Sequence, residues 1–137
     1  MKHFNFLWVL LALVLVIGVT SAVTKSPTHV FIQIKEMVLK TDPDKDGDYW
    51  IRREDDKYVY VIGYTSGHLP GCAITDKEAG GSLVIVFDEN DGAYVIASVF
   101  NGNILSERLI SEEKATAMAE EIFRRFQACT DPNQKIL

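Results

Sequence analysis

Four aspartates at alternate positions, Asp42, Asp44, Asp46 and Asp48, with Gly47 beside the last of them, are the residues whose spacing most plainly suggests chemistry. Carboxylates two residues apart can turn their oxygens toward one point, and a glycine permits the sharp bend this needs. Those are the demands of a Ca2+ loop. A second cluster lies in the Gly/Pro-rich stretch 65–72, which carries Ser66, His68, Leu69 and Cys72. A hydroxyl or thiol beside an imidazole is the chemistry of an activated nucleophile. One histidine with no second His or Cys close in sequence does not make a zinc site. The same stretch, read as a loop tied down at Cys72, suits recognition better than catalysis, because a pre-ordered loop loses less entropy on binding. Ser66, His68 and Leu69 are therefore assigned to a binding loop, and no residue is assigned a catalytic role.

The acidic segment resembles the first half of an EF-hand loop over residues 42–48, and it follows a segment of helical pattern as that family requires. Beyond Asp48 the likeness ends. Where the pattern closes with a bidentate glutamate this chain has Arg53, with Glu54 one place late, and Trp50 stands at another ligand position. The resemblance implies Ca2+ as a ligand only if Glu54, Asp55 or Asp56 completes the set. The plainer account is a solvated turn, for which Asp, Pro and Gly are ordinary residues. The same holds for the acidic turn 88–92.

Both cysteines, Cys72 and Cys129, lie beyond an amino-terminal segment that reads as an export signal. Lys2 precedes an apolar run over residues 4–23, and Thr20 and Ala22 place small residues where a signal peptidase cuts. Cleavage after Ala22 makes residues 1–22 a signal peptide. The alternative is an uncleaved anchor, since about 20 apolar residues suffice to span a bilayer as a helix. Either way the remainder, residues 23–137, faces an oxidising compartment as a periplasmic or secreted domain, or as the outer part of a single-pass protein. An even cysteine count in that setting predicts a Cys72–Cys129 disulfide.

These groups must be positioned by one domain, because residues 23–137 are close to the modal domain size. Ser26-Pro27 starts a helix over residues 27–40 whose apolar stripe is Val30, Phe31, Ile34, Met37 and Val38. Strands are predicted at 49–51, 58–64, 82–87, 93–100 and 104–110, on alternating or continuous apolar character and intervening turn residues. Stretch 65–81, with Gly67, Pro70, Gly71, Gly80 and Gly81, reads as an irregular loop. Ser111 caps a final helix with Ala115, Met118, Ala119, Ile122, Phe123 and Phe126 on one stripe, and a polar tail begins at about residue 130. The expected fold is α+β: an approximately five-stranded, mostly antiparallel sheet flanked by an N-terminal and a C-terminal helix, both on one face.

The chain carries a net charge of −5, with its basic residues scattered, which excludes the clustered Lys and Arg of nucleic-acid binding. With no complete catalytic, phosphate or metal set, the sequence favours an exported binding or inhibitory module with a protein partner. Its alternatives are a small calcium-dependent or hydrolytic enzyme and a membrane-tethered accessory domain. Contact with a membrane would come only through residues 4–23.

Overall fold

The apolar stripe of the first helix and the paired runs of β-branched residues find their partners in a computed structural model, which describes residues 27–41, 49–65 and 69–129. Helix α1 (His29–Thr41) buries Val30, Phe31, Ile34 and Val38. The Thr28 carbonyl accepts its first bonds, from the N–H groups of Phe31 and Ile32. Six strands follow: β1 (Tyr49–Glu54), β2 (Tyr58–Thr65), β3 (Leu69–Asp76), β4 (Gly81–Asp88), β5 (Ala93–Phe100) and β6 (Asn103–Ile110). Each pairs antiparallel with its sequence neighbour, so spatial and sequence order coincide. Helix α2 (Glu112–Ala128) is the last described element. The Ser111 hydroxyl accepts from the Lys114 N–H at 3.3 Å, and Glu112 and Glu113 sit at the positive end of the helix dipole. The fold is α+β as the pattern requires, with six strands in place of the expected five.

The additional strand is β3, which occupies the middle of the stretch expected to be irregular. Pro70 pairs with Tyr64 on the β2 side, one residue before the β3–β4 ladder opens at Gly71↔Val86. A missing N–H is tolerated at such a strand start. Gly71 is there because β4 comes too close for anything larger. A Cβ at this position would lie 2.6 Å from Val86 Cγ1 and 2.7 Å from the Ile85 carbonyl oxygen.

The two faces of the sheet are distinct. Ile51, Tyr60, Ile62, Cys72, Ile85, Phe87, Tyr94 and Ile96 point toward both helices and form one core with them. Val59, Val61, Leu69, Ala73, Val84, Val86, Val95, Ala97 and Val99 form a second apolar cluster on the opposite face, flanked by half-buried Trp50 and Ile104. No residue of α1 or α2 belongs to that second cluster. Tyr58, Tyr60 and Tyr64 share the helix face while Val59 and Val61 share the other, as a two-residue period dictates. The β5–β6 turn is built by Asn101 (φ 52°) and Gly102 (φ 79°), the pair of left-handed residues that a two-residue hairpin needs.

The helices are tied to each other near their amino ends. Thr28 Oγ1 and Thr116 Oγ1 are 2.9 Å apart, and the Thr28 N–H donates to the Tyr94 hydroxyl at 3.1 Å. Among the described residues no helix is long and apolar enough to cross a membrane.

Candidate functional site

Asp42, Asp44, Asp46 and Asp48 lie outside the described residues, as do Ser66 and His68. Their flanking residues are nevertheless placed. Helix α1 ends at Thr41 and β1 opens at Tyr49, which pairs with Tyr64, while Thr65 pairs with Leu69. Both segments therefore leave from the end of the sheet that also carries the turn between Asp88 and Ala93. Leu69 itself is a core residue of the second face, 1% exposed. Beside it, Thr65 Oγ1 is buried with no hydrogen-bond partner. Among the described residues no three His, Cys, Asp or Glu side chains are grouped to hold a metal ion.

The expected disulfide is not formed. Cys72 and Cys129 are free thiols, well separated from one another. The reason is register: Cys72 stands opposite Ile62 and Ile85 in mid-sheet, its side chain under the helices, whereas Cys129 follows the last residue of α2. Burial pushes the Cys72 thiol up to about 12, away from the thiolate a nucleophile needs. Cys129 is half-buried, and its thiol is also raised, by burial and then by the nearby Asp55 carboxylate. Alkylation of the native protein is expected to label Cys129 alone, with Cys72 reacting only after denaturation. Mass spectrometry of both samples checks this, and equal labelling of the two thiols in the native protein would contradict the packing.

A cleft of about 610 Å³ opens where the β1–β2 turn meets the end of α2, lined by Asp55, Tyr58, Tyr60, Arg124, Arg125 and Cys129 among others. Asp55 organises it. Its Oδ1 accepts from the N–H groups of Lys57 (2.9 Å) and Tyr58 (2.8 Å), and its Oδ2 accepts from the Tyr60 hydroxyl at 2.6 Å. The Tyr60 bond, followed by the backbone donors, holds the Asp55 carboxyl below its usual range. Burial, then the bond to Asp55, pushes Tyr60 up to about 12. Arg53 stacks 4.2 Å over the Phe126 ring and donates to the Phe126 carbonyl at 3.1 Å, capping the negative end of α2. Arg125 lies 5.6 Å from the Tyr58 ring centroid and donates through Nε to Glu121 at 2.8 Å.

A general base works best with a pKa near the working pH. Asp55, Tyr60 and Cys129 are all displaced away from neutrality, and the first two are already committed to each other. What this network does is clamp a turn to a helix end. Because folding raises the Tyr60 pKa, its contribution to stability is complete below the unfolded value near pH 10. It is lost as the pH rises from there through about 12. Between pH 8 and pH 11 the unfolding free energy from denaturant titration is expected to fall more for the parent than for Tyr60→Phe, by about 1 kcal/mol.

The outer edge of β6 is of a different character. None of its eight residues is buried, and Leu105 and Leu109 are 68% and 55% exposed, with Phe100 at 42% beside them. Among the described residues no strand pairs with its outer side, so alternate N–H and C=O groups there face solvent. Leu109 opposes Val95 and Glu107 opposes Ala97, which puts both on the second face. Ser106, Arg108 and Ile110 oppose Ser98, Ile96 and Tyr94 on the helix face. Val99 pairs with Ile104 and Ser98 with Ser106, so Leu105 is an extra residue at a bulge. Glu107 Oε2 is buried without a hydrogen-bond partner, and burial raises that carboxyl. No family model, curated protein or solved structure matches the chain.

Proposed function

We propose that this domain is an extracytoplasmic binding module that holds a partner protein by accepting an extended segment along the outer edge of β6. The observation that carries the reading is the eight-residue edge strand presenting Leu105 and Leu109 to solvent. An unpaired edge offers its N–H and C=O groups to another chain, while Glu107, Arg108 and the bulge at Leu105 limit which strands can use it. In strand addition the main-chain bonds supply affinity and the alternate side chains supply specificity. The export signal over residues 1–22 supports a location outside the cytoplasm. If that segment is cleaved the module is free, and if it is retained the edge is presented from a tether.

Charging the edge is the direct test. Leu105→Lys with Leu109→Lys is expected to abolish recovery of the partner from envelope extract while moving the thermal midpoint by only a degree or two. Exposed substitutions usually change stability by less than about 0.5 kcal/mol. Undiminished recovery by the doubly charged variant would sink the proposal, as would the absence of any reproducible partner for the parent.

A further inference from the structure

Resting on the edge-addition reading, we infer that the strand received by β6 carries an arginine or lysine directly opposite Glu107, with apolar residues two places to either side. Residues opposite each other in a ladder project to the same face with Cβ atoms about 5 Å apart. The residue facing Glu107 therefore emerges on the second face, and its next neighbours on that face emerge alongside Leu109 and the Ile104–Leu105 bulge. The Glu107 carboxylate already has one oxygen out of water with no donor to satisfy it. A strand laid against β6 removes more of its hydration. An apolar residue opposite leaves that charge buried and unpaired, the costly case, and a carboxylate opposite adds repulsion. A guanidinium or ammonium supplies both the missing donor and the countercharge.

The same geometry disfavours a second copy of this chain as the occupant. In an antiparallel two-fold pairing of β6 with itself, the two helix faces lie on the same side of the joined sheet. The only basic residue of β6 is Arg108, which opposes Ile96 on the helix face and so cannot meet Glu107 of the other copy. Glu107 thus serves as a filter. It raises the cost of indiscriminate apolar strands and of self-association, and admits a segment that brings a cation.

Three synthetic peptides separate the possibilities, each alternating valine and threonine so that valines flank a central Arg, Gln or Glu at two-residue spacing. Isothermal titration against the full chain is expected to rank them Arg, Gln, Glu, with the Arg peptide about tenfold tighter than the Gln peptide, as for a hydrogen bond to a charged group. Glu107→Gln is expected to erase that ranking and leave the Gln peptide unchanged. Equal affinities, or a ranking that survives Glu107→Gln, would overturn the inference while leaving edge addition standing. If no peptide binds, or if binding persists in the Leu105→Lys, Leu109→Lys variant, edge addition falls and the inference with it. A β6-dependent dimer in sedimentation would assign the edge to a second copy and overturn the inference as well.

Discussion

Replacing Phe31 with alanine is expected to lower the unfolding free energy by about 3–5 kcal/mol, the range for truncating a buried aromatic. Phe31 has no exposed surface and stands where α1 meets the sheet. Its ring centroid is 5.4 Å from that of Tyr94 and 6.5 Å from that of Phe87, and those two are 4.8 Å apart. Tilted rings at such separations gain about 0.5–1.5 kcal/mol beyond area burial. Removing one ring opens a cavity against both others, and loosens the segment around Thr28, whose N–H donates to the Tyr94 hydroxyl. Thermal unfolding monitored by circular dichroism should show a midpoint lower by something on the order of 10–20 °C. Phe31→Leu, which retains most of the volume, should cost less than half as much. An alanine variant within a degree or two of the parent would show that α1 does not contribute to the cooperative core.

Gly71→Ala is the second expected large effect, and it comes from adding one methyl group. The new Cβ would meet Val86 Cγ1, the Ile85 carbonyl oxygen and, at 3.2 Å, Val86 Cα. Two of these contacts are with backbone, so relief requires β3 and β4 to part rather than a side chain to rotate. Overpacking of this kind costs about 1–3 kcal/mol. Gly81→Ala provides the contrast within the same sheet, because a Cβ there meets nothing within 4 Å. It is expected to be neutral or to stabilise by a few tenths of a kcal/mol, through a less flexible unfolded chain. Denaturant midpoints of the two variants should therefore move in opposite directions or by very different amounts. Equal midpoints would mean that the approach of β4 to Gly71 is not a constraint.

Gly71 also explains what the residues concealed. A glycine after a proline reads locally as a turn, yet here it records the close passage of a strand more than ten residues away in sequence. No local pattern distinguishes the two. Both helices were legible because Phe31, Ile34 and Val38, like Ala115, Ile122 and Phe126, recur at helical spacing. The β4–β5 hairpin was legible because Asp88–Gly92 separates two apolar runs. The cysteine pairing was inferred from count and compartment alone, whereas pairing is a matter of geometry, and Cys72 faces the core from mid-sheet. The candidate site was the least legible part. Leu105 and Leu109 look like ordinary strand residues, and their meaning depends on β6 being last in the sheet, which is a property of topology. Glu107 carries no sequence signal, since its unsatisfied oxygen is visible only once the face it points to is known.

The order of the elements also governs how this chain must fold. Five consecutive hairpins can zip up from neighbouring contacts, which close cheaply and early. The helix-side core cannot be completed that way. It waits for Phe123 and Phe126, fully or almost fully buried residues supplied by the last described helix, and for the Thr28–Thr116 link between segments 88 residues apart. The helix-side core thus stays unfinished until α2 has been made. A late-closing core of this kind keeps the polypeptide pliable through synthesis, and commits it to its stable form only once α2 has arrived.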